Sequence, residues 1–184
     1  MFELAYNPTY LNGSRTDWQP PANGGTRQWA PGDSIVSLLN NPSIGGGRSA
    51  LIADTTTGWY GNLFYRSPAT DPSYIIRIAE VYLIRAEARA QQDNLTGALS
   101  DLDAVRTRAG LANSTAATQS DVLLAIENEN RVEFALEPHR WFDLVRTGKA
   151  QAELGITDAN MLLFPIPSQE ITLSKGVLTQ NPGY

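Results

Sequence analysis

The sequence predicts a mostly α-helical fold: an αα-hairpin with further helices, a long loop-rich aromatic segment and short strands. Three observations predict it. Residues 73–147 hold 19 charged residues and only two Gly. Residues 1–70 hold 8 charged residues but 9 Gly and 6 Pro. Residues 148–184 return to low charge, with three Pro. The expected division is a loop-rich, ligand-binding segment over 1–70, a helical core over 71–148, and an extended segment over 149–184 packing on that core. Together these are expected to form one compact domain, a fragment of a longer protein. At 184 residues, 42% hydrophobic and 18% charged, the chain can bury a core without cross-links.

Phe2-Glu3-Leu4-Ala5-Tyr6 alternates and suits a short strand. Turn signals follow at Asn12-Gly13, Pro20-Pro21, Gly24-Gly25, Pro31-Gly32, Asn41-Pro42 and Gly45-Gly46-Gly47. Some 60 residues with little regular structure are uncommon in a compact domain. This stretch is rich in rings, whereas disordered segments are poor in them, so an ordered loop region is expected. Asp71-Pro72 reads as the cap and first residue of a helix. Ile75, Ile78, Ala79, Tyr82, Leu83, Ala86 and Ala90 then recur at helical spacing. Asp93-Asn94 breaks the stripe. A second helix carries Leu95, Ala98, Leu99, Leu102 and Val105, and Gly110 ends it. The link of about two residues makes the pair an antiparallel hairpin. A third helix is expected from Thr118 or Ser120 to about Glu137, and a fourth from Pro138 to Gly148. Trp141 and Phe142 give the fourth helix a bulky load, so at least one of them is expected to be buried. Met161-Leu162-Leu163-Phe164 reads as a short extended segment, and Gln180-Asn181-Pro182-Gly183-Tyr184 as a terminal turn.

Composition narrows the chemistry. With Cys absent, disulfides, zinc thiolates and a cysteine nucleophile are excluded. A net charge of −5 and a pI near 4.8 argue against nucleic acid as a partner. No apolar run approaches a membrane span, and a basic, then apolar, leader is not seen after Met1. No metal or cofactor signature is present. His139, the single histidine, has no Gly-x-Ser-x-Gly to work with, so a hydrogen-bonding or packing role is expected. Gly45-Gly46-Gly47-Arg48-Ser49 lacks the Gly-Lys-Ser/Thr ending of a phosphate loop.

Two constellations remain. Glu129, Arg131, Glu133, Glu137, Arg140, Asp143 and Arg146 form a dense charged run around the third and fourth helices. Interleaved charges of this kind form ion-pair networks. Glu133 and Glu137 are therefore expected to engage Arg131, Arg140 or Arg146 and not to face a cleft. A glycoside hydrolase using Glu133 and Glu137 is the catalytic alternative. The second constellation is the loop aromatics. Flat rings stack on the C–H faces of sugars while neighbouring amides, carboxylates and Arg take the hydroxyls. Trp18, Trp29, Trp59 and Tyr60 are the candidate ligand-binding residues, near Asn12, Arg15, Asp17 and Gln28. Trp59 and Tyr60 are favoured, since adjacent rings could frame one edge of a platform.

Several longer motifs add a resemblance. Arg77-Ile78-Ala79-Glu80-Val81-Tyr82-Leu83-Ile84-Arg85-Ala86-Glu87-Ala88, Leu102–Gly110, Glu129–Arg146, Leu163-Phe164-Pro165-Ile166-Pro167 and Gln180–Tyr184 occur in one order. That set resembles the C-terminal portion of the SusD/RagB family of outer-membrane glycan- and nutrient-binding lipoproteins. Asn130 stands where the family often has Arg, and Pro138 where Gly is common. The resemblance implies a tetratricopeptide-like hairpin and no catalytic activity. It implies binding of an oligosaccharide or other nutrient for a TonB-dependent, SusC-like transporter. It also implies a cell-surface-facing, outer-membrane location for the full-length protein, held by a lipid anchor outside this chain. The chain itself is expected to be a soluble fragment. A helical protein-interaction module is the non-carbohydrate alternative.

Overall fold

The computed structural model describes residues 2–184, which form two compact units, 2–137 and 138–184. In the first unit, strand β1 (Phe2–Leu4) is followed by α1 (Ser14–Trp18) and α2 (Asp33–Asn40). Next come the hairpin β2 (Ile52–Thr55) and β3 (Gly58–Gly61), strand β4 (Ser73–Ile76), and helices α3 (Ile78–Gln91), α4 (Leu95–Arg108) and α5 (Gln119–Glu133). The second unit holds α6 (Arg140–Arg146), α7 (Ala150–Leu154) and α8 (Ser168–Leu173).

The predicted αα-hairpin is α3 and α4. Asn94 caps α4, its side chain accepting the Gly97 N–H at 3.0 Å. Gly110, at φ +77°, turns the chain after α4, a conformation open to glycine because it has no Cβ. Ala79, Leu83, Ala86 and Ala90 of α3 pack with Ala98, Leu102 and Val105 of α4 and with Val122 and Ile126 of α5. The alanines let α3 and α4 approach closely, and the larger residues fill the space between them. A capping box starts α5, with Thr118 and Asp121 satisfying one another's backbone N–H groups.

The first departures from the sequence-based expectation concern the element boundaries. The first helix starts at Ile78, not at Asp71-Pro72. Residues 73–76 instead pair antiparallel with β1, because an isolated strand would leave its backbone groups unpaired and Tyr74-Ile75-Ile76 favours a strand. The third helix stops at Glu133, and Leu136 takes a left-handed conformation at φ +69°. Residues 159–162 form a 3-10 turn in place of an extended segment. Finally, the loop-rich stretch contains α2 and the β2–β3 hairpin. Val36 and Leu39 of α2, Ile52 of β2, Val132 and Ala135 make a second buried cluster.

In the second unit, neither Trp141 nor Phe142 is fully buried. Phe142 is 63% exposed and Leu144 takes the buried place, while Trp141 makes a tilted ring contact with Phe164 at 6.0 Å. The two C-terminal motifs meet each other. Gln180 accepts the Ile166 N–H at 2.8 Å and donates to the Ile166 carbonyl at 2.9 Å. Its amide thus satisfies that backbone as a strand partner would. Asn181 donates to the Phe164 carbonyl at 2.7 Å and Tyr184 to that of Leu163 at 2.8 Å.

Candidate functional site: an aromatic surface beside an arginine-locked corner

The charged corner is an ion-pair network. Its carboxylates are engaged, as the interleaved charges predict, but Glu129 and Glu133 draw their cations from other elements. Arg48, which precedes β2, donates from Nε to Glu133 at 2.8 Å and also binds Glu129. Arg77, at the start of α3, reaches Glu133 and Glu137 at 2.7 Å each. From α4, Arg106 binds Glu129 at 3.0 Å and Arg108 binds Glu133. Arg131 instead donates to Ser34 Oγ at 2.6 Å. Arg146 pairs with Asp143 at 2.9 Å, and Arg140 lies 4.0 Å from Glu153. Expecting Glu133 to be held by Arg131 was thus incorrect. Two positions apart on a helix, Arg131 and Glu133 do not face each other, and Glu133 points inward to where three distant segments converge.

Burial opposes the charge on Glu133, but hydrogen bonds from Arg77 and Arg108 and their charge outweigh it, holding its pKa below the usual glutamate range. A glycosidase acid needs the opposite shift. Glu133 is therefore unsuited to donate a proton at neutral pH. Glu133 and Glu137 nevertheless line a cavity of about 730 Å³, contrary to the expectation that they face no cleft.

The triglycine that resembled a phosphate loop serves this corner. A Cβ on Gly45 would collide with the Leu39 backbone, and Gly46, at φ +54°, abuts the Ala109 carbonyl. Gly47 donates its N–H to that carbonyl at 2.9 Å. Gly45 and Gly46 have no room for a Cβ at this approach to α2 and the end of α4, and it delivers Arg48, 6% exposed, between Glu129 and Glu133.

Trp18, at the end of α1, and Trp29 lie on a segment pinned to the β2–β3 hairpin. Gln19 is buried and donates to the carbonyls of Gly61 at 3.0 Å and Phe64 at 3.1 Å. Arg27 clasps the hairpin turn through the Thr57 carbonyl at 2.9 Å. Trp18 and Trp29 meet edge to face, with centroids 5.7 Å apart. Trp29 is half-exposed and Trp18 partly covered. A Cβ on Gly61 would stand 2.5 Å from Trp18 Cε3, so the missing side chain makes room for that ring. Trp59 packs against the second cluster. Tyr60 is partly buried, and its hydroxyl accepts from Asn23 at 3.4 Å. Trp59 and Tyr60 are consecutive in β3 and point to opposite faces, so they do not frame one platform. The paired rings are instead 11 positions apart in sequence, a spacing with no periodicity to announce it.

Among the described residues no cluster of three His, Cys, Asp or Glu could hold a metal ion, and no helix is long and apolar enough to cross a membrane.

The mostly helical architecture, with its arginine-locked corner, defines a known class. The SusD family model matches residues 60–161, and the chain belongs to the SusD family. The starch-binding protein SusD of Bacteroides thetaiotaomicron is 31% identical over 182 aligned positions, covering 84% of this chain and 32% of that protein. A SusD-like protein of Bacteroides fragilis superposes with a TM-score of 0.57 at 26% identity, over 69% of this chain and 30% of that one. A SusD-superfamily protein of Parabacteroides distasonis gives a TM-score of 0.77 at 20% identity, over all of this chain and 50% of that one. The chain spans a third or less of the length of the curated relatives it matches.

Proposed function

We propose that this chain supplies a non-catalytic carbohydrate-binding surface, centred on Trp18 and Trp29, to a protein that captures oligosaccharide or another nutrient at the cell surface. That protein hands its ligand to a TonB-dependent, SusC-like transporter in the outer membrane. The observation carrying the reading is the half-exposed Trp29 ring, braced by Trp18 on a loop that Gln19 and Arg27 fix to the hairpin. A rigid ring loses little conformational entropy when a sugar stacks on it. The Tyr60 hydroxyl meets Asn23 of the same segment, and Trp59 packs the hairpin on the core. Family membership and the likeness to starch-binding SusD support carbohydrate as the ligand. Paired carboxylates at the corner support binding over hydrolysis.

The test is affinity electrophoresis of the full-length protein on a polysaccharide panel. Trp29→Ala is expected to lose at least tenfold in affinity for the retarding glycan, with no reducing sugar released by any variant. Wild-type binding by Trp18→Ala, Trp29→Ala and Tyr60→Ala alike would place the site elsewhere. Co-purification with the transporter tests the partner.

A further inference from the structure

The cavity beside the corner has a chemistry of its own, distinct from that of the aromatic surface. Its volume, about 730 Å³, lies within the range of about 300–1,000 Å³ usual for ligand pockets. Four arginines line it, Arg48, Arg66, Arg77 and Arg108, against three carboxylates. The carboxylates are already engaged. Glu133 holds three guanidinium groups, Glu137 takes Arg77 at 2.7 Å, and Asp71 takes the Nε and the backbone N–H of Arg66. Arg66 and Arg108 differ from the two inner arginines. Their side chains are 58% and 52% exposed, and each spends one side-chain nitrogen on its carboxylate. Exposed Tyr65 lines the same cavity, and so does Asn62. A site whose spare capacity is cationic N–H groups in a fork suits a planar or tetrahedral anion.

We propose that this cavity binds the anionic group of an acidic glycan, a carboxylate or a sulfate ester, through Arg66 and Arg108, with Tyr65 against the sugar ring. The inference rests on the carbohydrate-binding reading above and narrows its ligand to charged saccharides.

The test measures binding of the full-length protein to two matched pairs: polygalacturonate with its methyl ester, and dextran sulfate with dextran. The expected result is at least tenfold tighter binding of a charged member, weakened by added salt. Arg66→Gln and Arg108→Gln should each lose about tenfold on that member and leave binding to the uncharged glycan unchanged. Which pair responds distinguishes carboxylate from sulfate. Thermal melts accompany both variants. Should Arg108→Gln unfold, the more exposed Arg66→Gln carries the test alone. Equal binding of charged and uncharged members, or charge preference untouched by Arg66→Gln, overturns the inference, while dependence on Trp29 leaves the carbohydrate reading standing. Binding to no glycan removes both.

Discussion

Arg48 donates from Nε to Glu133 across 85 positions of sequence, at 2.8 Å. This one bond ties the loop-rich stretch to α5, and the pair is almost fully buried, at 6% and 1% side-chain exposure.

Removing Arg48 is expected to leave Glu129 and Glu133 short of a partner in a buried setting. Uncompensated buried charge costs about 3–5 kcal/mol. The remaining arginines on both carboxylates make the lower end the expectation for Arg48→Met. Arg131→Gln, whose arginine meets only the Ser34 hydroxyl in the corner, should change stability by no more than about 0.5 kcal/mol. Urea unfolding of the two variants checks the contrast; equal midpoints would mean that the buried network does not hold the loop.

Gly61→Ala should disturb the aromatic surface from below. Its new methyl group would press on Trp18 and stand 3.2 Å from Leu136 Cδ1. Overpacking of this kind costs about 1–3 kcal/mol, and the tryptophan fluorescence should shift as Trp18 moves away from Trp29. Gly13→Ala, with nothing within 4 Å of the added carbon, is the matched control and should be silent in both measurements.

Acid should unfold the protein partly through Glu133. Its folded pKa lies below the ordinary 4.5, so the unfolded state binds the proton more readily. The stability this confers is complete above the ordinary value and is lost as pH falls below it toward the folded pKa. Asp101 adds to the same trend. Its hydrogen bond from Arg85 leads in holding its pKa below 3.8. Denaturation at pH 7, 4.5 and 3 should show wild type losing stability downward. Glu133→Gln starts lower but should have a shallower slope; parallel slopes would remove Glu133 from the account.

Leu144→Ala should cost about 2–5 kcal/mol in the second unit, since Leu144 is 2% exposed. Phe142→Ala, at an exposed position, should stay within about 0.5 kcal/mol. Thermal melts of the two variants decide between them, and a larger loss for Phe142 would show that its ring is covered in solution.

Much of the fold was legible because it is local. The α3–α4 hairpin follows from alanine and leucine at helical spacing and from Asn94 and Gly110 at the ends. The start of α5 was legible to within two residues, at Thr118 or Ser120, and the capping box settles it at Thr118. The helix α2 was not legible. Its eight residues carry only two buried positions, Val36 and Leu39, too few to stand out as a period amid Pro and Gly. The β4 strand was hidden because Asp71-Pro72 looks like a helix start until β1, some 70 positions earlier, offers its backbone.

The helical class, the boundaries of α4, the family motifs and the engagement of the corner carboxylates were all readable from the residues in order. These depend on spacing, capping and charge within short windows. The tertiary structure alone decided which arginines serve Glu129 and Glu133, and that Trp18 meets Trp29 while Trp59 turns to the core. Both choices are contacts between distant segments, set by which backbone can approach which. Two glycines, Gly45 and Gly46, admit Arg48, and a third, Gly61, admits Trp18. A close approach of that kind leaves no periodic trace, because the residues that make it share no helix face and no strand.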